Sequence, residues 1–274
     1  MSTTQLVSVD GADLSVTESG EGVPVVFVHG GLIADSFAPV CDALGGGYRL
    51  VRYHRRGYAG SAGRPGPVSI DRDAADCVGV LDALGIGRAH VVGWSHGGAV
   101  ALGVAAAGPE RVASVAVLEP ALFEVPGAAA LADALAPIVA RYGSGDPAGA
   151  AADFQTAVWG ADWPAMLERR IPGGVGQLEK DAALMFESDL PALQAWSFGP
   201  DQSAAVTHPV LMLAGTDTIP IVEDIRERMR ELLPQTEEVL IEGANHSFAV
   251  TRPDEVATAL AAFWARHRSD AGAP

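Results

Sequence analysis

The chain has 274 residues, of which 49% are hydrophobic, and its formal net charge is −16. A chain of this length can bury a sizeable core, either as one large domain or as a domain with an insertion. The acidic balance argues against a nucleic-acid partner, because phosphates are bound by clustered Lys and Arg side chains.

The N-terminal segment carries no recognisable targeting signal. Residues 1–5 (MSTTQ) include neither the basic nor the apolar region of a secretory signal. The uncharged stretches elsewhere are too short or too weakly apolar to cross a bilayer. The two cysteines, Cys41 and Cys77, lie in apolar helical patterns, which predicts buried thiols rather than a disulfide framework. We therefore expect a cytoplasmic protein without a membrane partner.

Strand and helix patterns alternate along most of the chain. Apolar runs predict strands at residues 6–9, 14–17, 23–28, 49–53, 89–92, 112–118, 210–214 and 239–241. Helical spacing predicts helices at residues 71–84, 97–107, 222–233 and 253–266. This alternation is typical of βαβ units, so we predict an α/β fold with a mostly parallel central sheet flanked by helices. Ligands of such folds bind at the carboxyl ends of the strands.

Residues 120–208 interrupt this alternation. The segment is rich in Ala, lacks a clear strand pattern and carries large apolar side chains such as Phe154, Trp159 and Met185. We predict a helical cap insertion of two to four helices at 120–208, with a core formed by residues 1–119 and 209–274. The large side chains are expected either to form the insertion's own core or to line a pocket for a hydrophobic small-molecule substrate.

A G-x-S-x-G pentapeptide lies at residues 93–97 (GWSHG), between a predicted strand and a predicted helix. A serine on so sharp a turn points outward, and small residues must flank it where the backbones cross. This context predicts a nucleophile elbow with Ser95 as the nucleophile.

A serine nucleophile needs a base within hydrogen-bond reach. His246 follows the last predicted strand and a turn of small residues, and it precedes the final helix. Taken alone it could be a capping or solvated loop residue, but its order after Ser95 predicts the catalytic base. The chain has no HExxH motif and no Cys/His cluster, so we expect no metal site, and the predicted chemistry needs no cofactor.

Acyl transfer also needs two N–H donors for the developing oxyanion. The main-chain amide of His96 would supply one at the helix start, where free amides and the helix dipole favour an anion. The loop at residues 28–32 (VHGGL) follows a predicted strand, and Gly31 is the expected second donor. The alternative interpretation is a glycine turn with no catalytic role.

Together these features resemble the α/β-hydrolase family. The resemblance covers nearly the whole chain outside the insertion and includes residues 29–31 (HGG), 53–61 (YHRRGYAGS), the elbow and the Asn245-His246 pair. The second motif is similar to the family's D-x-R-G-x-G-x-S loop. It departs from that loop at His54, where aspartate is usual, and at Ala59, where glycine is usual.

The resemblance leaves two candidates for the acid of a Ser-His-acid triad. The family usually places it in a G-x-x-D pattern after the penultimate strand, but here Asp217 comes one position early and Thr218 occupies the expected place. A subset of the family takes its acid from the strand after the nucleophile helix, and Glu119-Pro120 resembles that form. A carboxylate at the end of a buried strand needs a partner such as His246. We therefore favour Glu119, with Asp217 as the alternative.

The resemblance implies a serine hydrolase that cleaves a carboxylic ester or lactone through an acyl-enzyme intermediate. The same residues could instead support cleavage of a C–C bond or an amide, or perhydrolase-type chemistry, because fold does not fix function. A protein that binds a ligand or guides a cyclisation without hydrolysis is the alternative from a different class.

Overall fold

The computed structural model describes residues 2–63 and 68–267. Eight strands form one sheet: β1 (Ser2–Val9), β2 (Ala12–Ser19), β3 (Gly22–Val28), β4 (Gly47–Tyr53), β5 (Ala89–Trp94), β6 (Val112–Leu118), β7 (Val210–Gly215) and β8 (Thr236–Ile241). Their order in the sheet is β1-β2-β4-β3-β5-β6-β7-β8. The β1–β2 and β2–β4 pairs are antiparallel, and every other pair is parallel. The predicted fold class is therefore confirmed.

Helices cover both faces of this sheet, and an apolar core lies on each side of it. Those of the alternating part are α1 (Ala38–Ala43), α2 (Ile70–Ala83), α3 (His96–Ala107), α10 (Ile221–Leu232), α11 (Phe248–Thr251) and α12 (Pro253–Arg266). The short helices α1 and α11 were not predicted, because neither is long enough to show an amphipathic repeat. None of the helices in the described ranges is long and apolar enough to cross a membrane.

The segment between β6 and β7 contains more helices than predicted. Six α-helices lie there: α4 (Ala128–Gly143), α5 (Pro147–Trp159), α6 (Trp163–Arg170), α7 (Gly174–Leu184), α8 (Leu190–Ala195) and α9 (Pro200–Ser203). A π-helical turn, Met185–Asp189, joins α7 to α8. The expectation of two to four helices was wrong, because left-handed glycines break the segment often. Gly160 (φ 89°) follows α5 and Gly173 (φ 83°) precedes α7.

The sheet brings six loops to one edge. Strands β4, β3, β5, β6, β7 and β8 are parallel neighbours, so the loops that follow them lie side by side. The registers align the strand ends: Val28 pairs with Gly93, Trp94 with Leu118, and Gly215 with Ile241. Residues that follow these strands are therefore close in space, although the sequence separates them widely.

Both cysteines are free and buried, as predicted. Burial raises the pKa of Cys41 and of Cys77 to about 12. Neither thiol is a thiolate at neutral pH, so neither is suited to act as a nucleophile.

Candidate active site

Ser95 lies at the turn between β5 and α3 in a strained conformation. Its φ and ψ angles are 53° and −117°, a region that L-residues rarely occupy. Its N–H donates to the carbonyl oxygen of Leu118 at the end of β6 (2.9 Å), and its carbonyl oxygen accepts from the N–H of Gly98 (2.9 Å). The neighbouring strand and the following helix thus hold the turn from both sides.

Glycines on either side of Ser95 allow the backbones to cross. A Cβ atom at Gly93 would collide with the carbonyl oxygen of Gly97, and one at Gly97 would collide with the carbonyl oxygen of Val28. The obstacles are main-chain atoms, which cannot move aside without disturbing the sheet. Glycine is therefore required at both places for a steric reason.

His246, in the loop after β8, lies beside Glu119, the residue that follows β6. The distance from Nδ1 of His246 to Oε2 of Glu119 is 2.5 Å. The Glu119 side chain is completely buried, and its backbone also has a positive φ of 41°. Its Oε1 accepts from the N–H of Gly215 (2.8 Å), and its Oε2 also accepts from the hydroxyl of Thr218 (2.9 Å). Three donors therefore compensate this buried carboxylate.

The other acid candidate lies apart from this group. Asp217 is exposed to solvent, and its N–H donates to the carbonyl oxygen of Ala244 (3.0 Å). Thr218, which occupies the place where the family's acid was expected, instead donates its hydroxyl to Glu119. The structure brings Glu119, and not Asp217, into contact with His246.

The Glu119 contact determines which ring nitrogen of His246 carries the proton. An ionised carboxylate can only accept, so Nδ1 must donate, and Nε2 is left with a free lone pair. Nε2 is the atom that could take a proton from a serine hydroxyl. Ser95 and His246 line the same cavity.

The loop after β3 holds the Gly30–Gly31 peptide in a fixed orientation. The carbonyl oxygen of Gly30 accepts from Nδ1 of His29 (2.6 Å) and from the guanidinium of Arg55 (3.2 Å). Burial lowers the pKa of His29 well below its usual value, so the ring is neutral and its Nε2 accepts from the N–H of Arg55 (2.9 Å). In a trans peptide the N–H points away from the carbonyl, so the Gly31 N–H is directed away from these donors.

A buried ion pair joins the loop after β4, which contacts Gly30, to the helical segment. The Arg55 guanidinium donates to both carboxylate oxygens of Asp189 (3.0 and 2.8 Å), at the end of the π-helical turn. Burial would raise the pKa of Asp189, but the Arg55 charge, the neighbouring His96 and the hydrogen bonds from Arg55 and Tyr58 together outweigh burial and hold the pKa at about 2. The Tyr58 hydroxyl donates to Asp189 (2.7 Å) and accepts from the N–H of Leu32 (3.3 Å). Asp189 therefore helps to hold the residues on both sides of Gly31.

The side chain of His96 belongs to the same network. Its Nε2 lies 2.9 Å from Oδ2 of Asp73, which also accepts from Arg55 (2.9 Å). His96 is the first residue of α3, where the main-chain N–H has no partner within the helix. Both expected oxyanion donors thus belong to residues that buried charges hold in place.

The two departures from the family loop have a structural compensation. Nδ1 of His54 accepts from the N–H of Gly60 (3.2 Å), and its Nε2 donates to Asp35 (3.2 Å). Ala59 has a positive φ of 43°, which usually favours glycine, and its N–H donates to Asp181 (3.1 Å). The loop is therefore braced by His54 and by a carboxylate of the helical segment.

An apolar cavity, partly open to solvent, lies in front of Ser95. Its walls come from the strand-end loops and from helices α4, α5, α8 and α10, together with the π-helical turn. The ring of Trp94 packs against His246 (5.4 Å between ring centroids) and against Trp159 of α5 (5.8 Å). The apolar lining with a few polar groups is typical of a site for a small molecule.

Several residues at this site were not assigned a role from the sequence. Among them are Asp189 and Gln155, which line the cavity, and Thr218, which contacts Glu119. The one sequence signal that pointed to Thr218 was the position of Asp217, which comes one residue earlier than the acid of the family's pattern. For the two helical residues there was no signal, because their roles depend on how helices pack over the sheet. The described part of the chain holds no group of three or more His, Cys, Asp or Glu residues that could bind a metal ion.

Comparison with known proteins identifies the family. A model of the alpha/beta hydrolase fold matches residues 23–253. The chain is similar to the putative carbamate hydrolase RutD of Azorhizobium caulinodans, with 36% identity over 108 residues that make up 39% of this chain and 41% of that protein. The protein of the same name from Caulobacter segnis is 28% identical over 249 residues, covering 85% of this chain and 88% of that protein. The structure of the enol-lactonase from Burkholderia xenovorans LB400 is similar in fold, with a TM-score of 0.78 and 21% identity over 95% of this chain and all of that one. The chain therefore belongs to the family of α/β hydrolases, as its motifs imply.

Proposed function

We propose that the protein hydrolyses carboxylic esters or lactones by acyl transfer to Ser95. In this mechanism Nε2 of His246 takes the proton from the Ser95 hydroxyl as Oγ bonds to the substrate carbonyl carbon. His246 then gives that proton to the leaving alcohol oxygen when the C–O bond breaks. Water, deprotonated by the same nitrogen, then attacks the acyl carbon, the bond to Oγ of Ser95 breaks, and the proton on Nε2 returns to Oγ as the carboxylic acid leaves.

The observation that carries this proposal is the 2.5 Å contact between His246 and Glu119 beside the cavity that Ser95 lines. Glu119 would keep the proton on Nδ1 and stabilise the imidazolium that forms when Nε2 is protonated. The N–H groups of Gly31 and His96 would bind the oxyanion. The orientation of the Gly30–Gly31 peptide and the position of His96 at the start of α3 support these roles.

We also propose that residues 120–208 act as a cap over a core formed by residues 1–119 and 209–274. In support, α4 and α5 contribute Leu131, Leu135 and Phe154 to the wall of the cavity. These apolar side chains would bind a hydrophobic acyl or alcohol group and exclude water from it. Residues 64–67 and 268–274 of the proposed core lie outside the described residues.

A carbamate is the second candidate substrate, because two relatives are named putative carbamate hydrolases. The same serine could attack the carbonyl carbon of a carbamate. The leaving group would then be the alcohol, as in an ester, or the amine. The apolar lining of the cavity favours an ester or lactone with a hydrophobic substituent.

Steady-state hydrolysis of p-nitrophenyl esters, alkyl lactones and alkyl carbamates tests both candidates. We expect the wild type to hydrolyse esters or lactones fastest, with the rate rising as the alkyl chain lengthens. We expect Ser95→Ala to lose turnover by a factor of about 10⁴ or more while remaining folded by circular dichroism. Retained turnover in purified Ser95→Ala would refute the mechanism. Faster hydrolysis of carbamates than of esters and lactones would make a carbamate the favoured substrate.

A further inference from the structure

One polar side chain of the cavity is not used by the proposed mechanism. Gln155 lies on α5, is 3% exposed and lines the cavity together with Ser95. Among the residues that the structure describes, its side-chain amide has no hydrogen-bond partner. The amide atoms are not completely enclosed, so they remain accessible from the cavity to a bound group.

Helix α5 holds Gln155 at a fixed place relative to the reacting group. The Asn245 side chain, next to His246, donates to the carbonyl oxygen of Trp159 at the end of α5 (2.8 Å). The ring of Trp159 packs against Trp94, which precedes Ser95. Gln155 lies one helical turn before Trp159, about 6 Å along the helix axis. Gln155 and Ser95 thus line one cavity from elements that these contacts join.

The surroundings of Gln155 define what it could bind. On the same face of α5 the cavity wall is apolar, with Phe154 and Val158 beside Gln155. The carboxylates that line the cavity already have partners, since Glu119 contacts His246 and Asp189 contacts Arg55. A neutral amide offers both a donor and an acceptor but no charge. The Gln155 amide therefore matches a neutral group that has a hydrogen-bond donor and an acceptor of its own. It supplies no opposite charge that would stabilise a bound ion.

We propose that Gln155 is a specificity residue that recognises a neutral polar group, such as a secondary amide, within an otherwise apolar substituent of the ester or lactone. The proposal rests on the proposed function, because it concerns the substrate of the same cavity. A substrate with this group at the right position gains a hydrogen bond that an alkyl substrate of equal length cannot make. We expect that hydrogen bond to raise kcat/KM about ten-fold over the alkyl substrate.

Two series of esters of matched length test this proposal. In the first, p-nitrophenyl alkanoates are compared with p-nitrophenyl esters whose acyl chain carries one secondary amide at successive positions. In the second, alkyl acetates are compared with acetates whose alcohol carries the amide. We expect one position in one series to raise kcat/KM about ten-fold over the alkyl ester of equal length. In Gln155→Met, which keeps the length of the side chain but removes its polar atoms, we expect that ratio to fall to about one.

Gln202→Met is the matched control, since it makes the same substitution at an exposed glutamine of α9 that does not line the cavity, and it should keep the amide-to-alkyl ratio high. If the wild type hydrolyses the amide and alkyl esters equally at every position, Gln155 has no such role and the proposed function stands. A ratio that persists in Gln155→Met also overturns the proposal. If the wild type hydrolyses no member of either series, the proposed function fails and this inference fails with it.

Discussion

The hydroxyl of Thr218 and the N–H of Gly215 both donate to Glu119, at 2.9 and 2.8 Å. Thr218 stands where the family's usual acid would be, in the loop after β7, and Glu119 directly follows the adjacent strand β6. These two residues thus lie after neighbouring strands and are in contact. The Glu119 carboxylate reaches His246, while Gly215 of β7 and Thr218 supply two of its hydrogen bonds.

This arrangement predicts a large difference between the two acid candidates. Glu119→Gln removes the negative charge beside Nδ1 of His246, and we expect kcat to fall at least about a hundredfold. Asp217→Asn changes an exposed carboxylate, and we expect kcat to stay within about two-fold. Steady-state ester hydrolysis by the two purified variants makes the comparison, and the opposite ranking would assign the acid to Asp217.

The hydroxyl of Thr218 should matter for the same reason. Thr218→Val keeps the shape of the side chain but removes a donor to Glu119, and we expect a loss of about ten-fold in kcat. Thr218→Ser keeps the hydroxyl and should retain most of the activity. Equal kcat values for the Val and Ser variants would show that this hydrogen bond does not support the acid.

The steric requirement at the elbow can be tested within one helix. Gly97→Ala places a methyl group against the carbonyl oxygen of Val28, so we expect the free energy of unfolding to fall by about 3 kcal/mol. Gly103→Ala, also in α3, meets side-chain atoms of Ala74 and Ile70 at 3.5 Å, an ordinary contact distance. There we expect a gain of about 1 kcal/mol, because alanine favours the helix. Urea unfolding of both variants measures the contrast, and a similar loss at both positions would contradict it.

The ion pair between Arg55 and Asp189 predicts a pH-dependent contribution to stability. The pKa of Asp189 is about 2 in the folded protein, against an ordinary value of 3.8, because the Arg55 charge and the surrounding hydrogen bonds together outweigh the effect of burial. A lowered carboxyl pKa stabilises the fold above the unfolded-state value, and that stabilisation is lost as the pH falls from about 4 towards 2. We expect Asp189→Asn to be less stable than the wild type at pH 6. The difference in unfolding free energy should be about 1 kcal/mol smaller at pH 3.

Urea unfolding of the wild type and Asp189→Asn at both pH values measures this difference. The same variant should also lower kcat, because Asp189 helps to hold the residues around Gly31. A stability difference that is identical at pH 3 and pH 6 would show that the Asp189 pKa is not lowered by folding.

The fold could be predicted from the sequence because the strands are buried and apolar. Residues 112–118 were predicted without error, and the sheet edge that carries Ser95 and His246 follows from the alternation of strands and helices. The elbow was recognisable because its steric demand leaves a local pattern, with glycine at 93 and 97. These features depend on short stretches of chain.

Features that depend on distant contacts could not be predicted in the same way. Glu119 and Asp217 both follow strands at the same edge, and the sequence alone left both open as partners of His246. The contact of Asp189 with Arg55 joins residues 134 positions apart. The position of Gln155 in the cavity wall depends on how α5 packs over the sheet, and no local pattern records that packing.

Labelling with a fluorophosphonate probe tests the central proposal most directly, because the probe bonds to a serine only when a base has activated its hydroxyl. We expect mass spectrometry to find one adduct on the wild type, located on Ser95. The adduct should be absent from Ser95→Ala and should form at least about a hundredfold more slowly on His246→Ala. An unlabelled wild type, or an adduct that persists in Ser95→Ala, would contradict the assignment of Ser95 as the nucleophile.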